Sequence, residues 1–281
     1  TAFSQQFSTN VQLLSQQRGS ILRGGVSEES VTGEKAFFDQ VGAAAAVKRT
    51  SRHGDTPIVE TPHSRRMVTM DSYEWADLID DADKVRMLID PTSTYAQAAA
   101  AAMGRAMDDA IITAATGSSK TGKTGSTSTS MLSANQIANG SADLTVAKLI
   151  QAKKILDNGS VDPSIPRHIA VGPDQIEALL NTTSVTSSDF NTVKALVQGE
   201  VNTFMGFQFH MSTRLAKSGN IRTCFAWAED GIKLAMGKDV MSRIDERSDK
   251  SYSTQVYYCA TFGATRMEEA KVVQIDCDES A

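Results

Sequence analysis

Residues 93–116, STYAQAAAAAMGRAMDDAIITAAT, commit the chain to one long helix, and that helix limits what its neighbours can be. Tyr95, Met103, Met107 and Ile111 recur at intervals of four or eight, the spacing of a single helical face. Asp90 and Pro91 stand where an N-cap and a first-turn proline belong, and Gly117 stands where a C-cap belongs. About 25 residues at 1.5 Å each give a rod of roughly 37 Å. Its stripe of Ala98, Ala99, Ala102, Ala106 and Ala110 is small enough for another element to pack closely, which we read as ordinary core packing. The constraint falls on what comes next. Gly117, Gly122, Lys123 and Thr124 spell G-x-x-x-x-G-K-T, the letters of a phosphate-binding loop. Such a loop needs a strand before it and a helix after it, so that free N–H groups point at the phosphates. Here a helix leads in, and the Ser/Thr/Gly-rich GSTSTSMLSANQIANGSAD that follows reads as a flexible, exposed loop. These four residues are therefore read as a chance match, indifferent to nucleotides.

Little else in the chain points to an enzyme. The 281 residues suffice for one large domain or two modest ones, and 41% hydrophobic with 22% charged residues is ordinary for a folded protein. A formal net charge of −5 argues against gripping nucleic acid over the whole surface, though not against enclosing it. Cys224, Cys259 and Cys277 are odd in number and far apart, which speaks for free thiols rather than a disulfide framework or a zinc site. His53, His63, His168 and His210 show no metal spacing, and no G-x-S-x-G elbow is present. Asp80, Asp81 and Asp83 lack the glycine of a calcium loop and read as a solvated or ion-paired helix face. No apolar stretch approaches the roughly 20 residues that cross a bilayer, and TAFSQQFSTN is no secretory signal. The start at Thr1 fits removal of an initiator residue or a processed precursor. We assign no catalytic, cofactor-binding or metal-binding residue.

The ends of the chain look built for contact. Phe3, Phe7, Val11 and Leu14 share one face of a short amphipathic helix, and RGSILRGGVSEESVTGE follows as an extended arm. From Phe37 to about Tyr73 the chain contains VKRTSRHGDTPIVETPHSRRMVTM, basic through Lys48, Arg49, Arg52, Arg65 and Arg66 and broken by Gly54, Pro57 and Pro62. This pattern predicts two strands joined by a long polar tip. Such a hairpin buries too little apolar surface to offset the entropy of ordering it alone. The next segment is acidic, with Asp71, Glu74, Asp77, Asp80 and Asp81, and reads as a helix. A basic hairpin beside an acidic helix in every copy suits head-to-tail contacts between identical subunits; pairing within one chain stays open as the alternative. Candidate inter-subunit contacts are thus Arg49, Arg52, Arg65 and Arg66 on one side, Asp77, Asp80 and Asp81 on the other, and Phe3 and Phe7 at the N-terminus.

Further on, LTVAKLIQAKKILDNG predicts a helix ending at Asn158 and Gly159. RHIAVGPDQIEALLN predicts a strand, a turn and a helix from near Pro173, and DFNTVKALVQG another helix. FMGFQFHMS is a strand with Phe207 and Phe209 on one face, and TCFAWAEDGIKLAMG is two apolar strands about a Glu229-Asp230-Gly231 turn. Together these make a mixed α/β unit from about 160 to 237. The tail, with Tyr257 and Tyr258 and a last strand at Val272–Ile275, is expected to pair with itself and pack on the long helix.

In this order the chain resembles the major capsid protein of tailed double-stranded DNA phages, the Hong Kong phage-type α+β fold. The stretches AFFDQVG, RTSRHGDTPIVETPHSRRMV, YEWADLID, KVRMLIDPTSTYAQAAAAAMGRAMDDAII and VQGEVNTFMGFQF carry the likeness, which covers nearly the whole chain. The resemblance implies an N-terminal helix and arm over 1–35, an E-loop over 36–76, a peripheral domain over 77–160 and 238–281 with a spine helix over 92–116, and an axial domain over 161–237. It implies self-assembly into hexamers and pentamers of an icosahedral head, located in the virion and made in the host bacterial cytoplasm. The partners it implies are portal, scaffold and cement proteins, with enclosed DNA read without sequence preference and with no cofactor and no membrane. Some members weld their subunits through a Lys–Asn bond; Lys35 and Lys48 lie in the hairpin region but match no such site. Some begin with a cleaved scaffolding segment, absent here, so scaffold is expected as a separate or already removed chain. Two other readings remain: a cargo-enclosing nanocompartment shell of the same fold, and a P-loop enzyme resting on GSSKTGKT alone.

Overall fold

The structure is a computed structural model that describes residues 16–52, 54–56, 58–80, 92–181 and 203–280. The expected helices around Phe3 and Phe7 and over DFNTVKALVQG, the cap at Asp90 and Pro91, and Asp81 lie outside these residues. A one-turn 3-10 segment at Arg23–Gly25 precedes β1 (Ser27–Ser30), β2 (Lys35–Val41), β3 (His63–Thr69) and β4 (Asp71–Ile79). Helix α1 (Thr92–Thr116) leads into a small hairpin of β5 (Ser119–Thr121) and β6 (Thr127–Thr129), then β7 (Gln136–Ile137) and helix α2 (Val146–Asn158). Next come β8 (Arg167–Val171), α3 (Pro173–Asn181), β9 (Thr203–Phe204), β10 (Phe207–Met211) and β11 (Lys217–Ser218). Four longer strands finish the chain: β12 (Ile221–Ala228), β13 (Ile232–Arg247), β14 (Ser253–Arg266) and β15 (Val272–Asp278).

These strands form three sheets. The largest runs β7-β15-β12-β8-β10-β9, with β11 on β12. Its centre is apolar because it is covered on both sides: all five residues of β8 are buried, and so is β12 from Cys224 to Ala228. Leu149, Ala152 and Leu156 of α2 and Leu179 of α3 are fully buried beside it. Thr145 caps α2 by accepting from the Lys148 amide, a contact worth on the order of 1 kcal/mol. The second sheet, β1-β13-β14-β4, receives α1. Met103, Met107 and Ile111 of that helix are buried in the common core, and Tyr73 of β4 stacks on Phe262 of β14 at 4.4 Å. The third sheet, β2-β3-β5-β6, is the root of a long hairpin.

Three expectations need correction. The acidic segment from Asp71 is a strand, not a helix: Tyr73, Trp75 and Asp77 are half-buried and Ile79 buried at every second position, while Ser72, Glu74, Ala76 and Leu78 face out. That period of two, with aromatic and β-branched residues, outweighs the charge pattern that suggested a helix. The stretch after Gly117 is not a flexible loop. Its threonines and serines form β5 and β6, which turn at Gly122 and Gly125, both with positive φ, and β5 pairs with β3. Finally, the strands either side of Glu229-Asp230-Gly231 do not pair with each other. β12 belongs to the largest sheet, and β13 leaves it to pair with β1 and β14.

The chain passes between its two larger sheets at a narrow waist. One crossing is Glu229–Gly231, and a second is Glu268–Lys271. Lys271 binds Asp230 at 2.6 Å, and the Met267 amide donates to the Gly231 carbonyl at 2.9 Å. The Asn135 side chain, on the chain arriving from β6, donates to Glu269 and Val272 carbonyls at the same place.

Candidate assembly interface

The hairpin that sequence marks as unable to fold alone is folded only at its root. β2 and β3 pair in register from Lys35↔Thr69 to Val41↔His63. Beneath them Ala36, Phe38, Val68 and Met70 meet Ala235 and Met267 in a small core of their own. Past Val41 that support ends. The Gly42 amide still donates to the Pro62 carbonyl at 2.8 Å, but the described residues from 42 to 60 are all exposed. Ile58 is 94% exposed, and Val47 and Val59 are exposed as well. Arg49 and Arg52 lie on this tip, Arg49 bonding only the nearby Ser51 carbonyl.

Neighbouring arginines in β3 have separate fates. Arg65 faces out, with its guanidinium on Asp39 of β2 and 5.6 Å from the Phe37 ring. That hydrogen bond holds the Asp39 carboxyl below the usual carboxylate range. Arg66 is buried: its Nε donates to the Met267 carbonyl at 2.7 Å and its Nη2 to Glu269 at 2.5 Å. Both arginines are thus answered inside their own chain, and by Asp39 and Glu269 rather than by the acids from 71 to 80. Arg66 therefore leaves the set of assembly candidates. Asp77 is half-buried on β4 and Asp80 exposed at its end, while Phe3, Phe7 and Asp81 lie outside the described residues.

The P-loop letters occupy the far edge of the same sheet. The Gly117 amide closes α1 by donating to Thr113 at 2.9 Å. Lys123 and Thr124 sit exposed on the β5–β6 turn, and a strand follows them, so no helix N-terminus aims at a ligand. What fixes the hairpin is Arg266, which sequence reasoning missed. Fully buried, it donates from Nη1 to the Ala115 and Gly117 carbonyls at 2.9 and 2.7 Å, and from Nη2 to Thr129. A cation on the last carbonyls of α1 satisfies groups that a helix end leaves unpaired. Glu269 lies between Arg66 and Arg266 and serves both. The one sequence hint was an arginine ending a strand, Ala-Thr-Arg, just before two glutamates. Between the hairpin root and the turn opens a cleft of about 600 Å³ lined by Asp39, His63, Arg65, Lys123 and Thr129, polar and open rather than enclosed.

No group of three or more His, Cys, Asp or Glu among the described residues is placed to hold a metal. All three cysteines are free; Cys224 and Cys277 are buried, and their mutual hydrogen bond, with burial, pushes the Cys224 thiol well up. Among the described residues no helix is long and apolar enough to cross a membrane.

Comparison with known proteins gives this arrangement a context. No curated protein matches the chain. Among solved structures it is similar to the head of Helicobacter pylori bacteriophage KHP40, with 12% identity, TM-score 0.76, and 99% of this chain and 96% of that one covered. It is likewise similar to the capsid of cyanophage P-SCSP1u, with 17% identity, TM-score 0.75, and 98% and 93% covered. Mycobacterium phage Che8 gives 16% identity, TM-score 0.69, and 98% and 97% covered. At these identities the likeness establishes the fold, the Hong Kong phage-type capsid fold. A family model described as phage capsid protein matches residues 1–279. A subunit with a projecting hairpin, no assembled catalytic constellation among its described residues, and this match over almost its full length belongs to the phage capsid protein family and has a structural, non-enzymatic role in the capsid of a tailed phage.

Proposed function

We propose that this chain is the major shell subunit, assembling with copies of itself into hexamers and pentamers of an icosahedral head that encloses double-stranded DNA. The observation that carries this reading is the hairpin tip at 42–60, which is exposed and finds no apolar partner among the described residues. Burying Ile58, Val47 and Val59 against a second copy would contribute roughly 1.5–3 kcal/mol for each side chain fully covered. The tip is then the E-loop laid over a neighbour, α1 the spine of the peripheral domain, and the largest sheet the core of the axial domain. Arg49 and Arg52 steer the tip towards acidic surface on the neighbour, with Asp77 and Asp80 as candidates. The net charge of −5 keeps the enclosed DNA from adhering to the wall. Portal, scaffold and cement proteins complete the particle, which is made in the bacterial cytoplasm. Electron microscopy of the expressed chain, with and without its phage's scaffold, tests the reading. Closed shells with five-fold vertices are expected; monomers or open-ended assemblies under every condition would overturn it.

A further inference from the structure

The arm ahead of β1 is held on the body by an unusual seat. Its first half is gathered by one carboxylate, Asp108 of α1, which is fully buried. Asp108 accepts from the Ile21 and Leu22 amides at 3.1 Å each, from Ser20 Oγ at 2.5 Å, and from the Gln17 side chain. Its second half rests on rings. Trp227 Nε1 donates to the Gly25 carbonyl at 2.7 Å. Directly under Gly25, His168 Nδ1 and His210 Nε2 lie 3.0 Å apart. A Cβ on Gly25 would fall 3.1 Å from the first nitrogen and 3.2 Å from the second. Trp227 stacks on both imidazoles, with centroids at 5.5 and 5.8 Å.

This arrangement fixes the proton count. A 3.0 Å contact between two imidazole nitrogens needs one N–H and one bare nitrogen. His168 Nε2 is buried with no partner, which a bare nitrogen tolerates better than an N–H does. So Nδ1 of His168 carries the proton and donates to His210. A charged His168 would bury an N–H with nothing to receive it. The charged and polar groups facing the pair are each imidazole for the other, Asp108 from α1, and the Ile21 backbone from the arm.

We propose that the segment Ser20–Val26 is an acid-released latch, docked only while His168 and His210 are both neutral. Burial, and then the neighbouring His210, push His168 down from 6.5 to about 4. Burial also lowers His210, against the opposing pull of Ile21 and Asp108. A depressed value means that the docked state binds fewer protons than the released one. Docking is therefore fully stable above pH 6.5 and weakens as pH falls towards 4. Each unit of that shift is a tenfold bias, so His168 alone can change the docking equilibrium by up to roughly 300-fold.

Hydrogen exchange on the full-length chain, corrected for the intrinsic pH dependence of exchange, reads the latch directly at the Ile21 and Leu22 amides. Their protection should fall at least about tenfold between pH 7.5 and 5, while amides of β12 keep theirs. The doubly substituted H168N/H210Q chain, whose amides replace the two facing nitrogens without titrating, should keep arm protection flat over the same range. Flat protection in the unaltered chain would overturn the proposal. So would loss of arm and β12 protection in parallel, or the same pH slope in the doubly substituted chain. If that chain does not fold, the unaltered chain's series decides alone.

Discussion

Arg65 and Arg66 are adjacent letters, and sequence reading treats them alike. The strand separates them, because successive side chains of β3 take opposite faces. Arg66 and Arg266 are both buried and converge on Glu269, so that carboxylate neutralises two interior guanidinium groups at once. Glu269→Ala is expected to cost about 3–5 kcal/mol, the range for stripping a buried ion pair of one partner, read as a large drop in thermal or denaturant midpoint. Arg65→Glu should leave that midpoint unchanged, since its pair with Asp39 lies in solvent. If Arg65→Glu also assembles normally, the outer face of β3 is no contact between subunits. The burial of Arg66 could not be read from its neighbours, because its answering carboxylate stands 203 residues away.

At the scale of elements, what was legible had local causes. The spacing of Met103, Met107 and Ile111 and the closing glycine give α1 its extent, and the polar run between Val41 and His63 gives the hairpin its tip. What was missed depended on partners distant in sequence. β4 is a strand because β14 lies beside it, and the serine- and threonine-rich stretch after Gly117 is a hairpin because β3 offers it an edge and Arg266 holds it down. The close approach to α1 was also misplaced. It occurs at Gly104 rather than along the alanine stripe, where Ala106 and Ala110 pack partly buried against the core. A Cβ on Gly104 would lie 2.3 Å from the Gly19 backbone. Helix propensity favours alanine over glycine by about 1 kcal/mol, but the arm's backbone cannot yield cheaply. Gly104→Ala should therefore dislodge the arm, seen as faster exchange at Ile21 and Leu22, without shortening α1. Lys123→Ala should leave ATP and GTP titrations as featureless as those of the parent chain; nucleotide binding lost on substitution would revive the enzymatic reading.

For the whole molecule, the test is to remove what the subunit does not need for itself. Replacing residues 44–60 by a short Gly-Ser turn deletes exposed chain and spares the small core under β2 and β3. The shortened chain should melt with the parent, and light scattering and electron microscopy should find it unable to close shells. A lower midpoint would mean that the tip supports its own subunit. The waist carries a mechanical consequence. Two strands cross there side by side, with Gly231 packed so close to Lys271 that a Cβ would come within 2.8 Å, and the Asp230–Lys271 pair bolts them together. Bodies joined by two adjacent crossings resist sliding and twisting but can swing about the line that joins them. The two larger sheets are hung like a door on a pair of pins, and a change in shell curvature can be absorbed as a swing at Glu229–Gly231 and Glu268–Lys271, with both cores left intact.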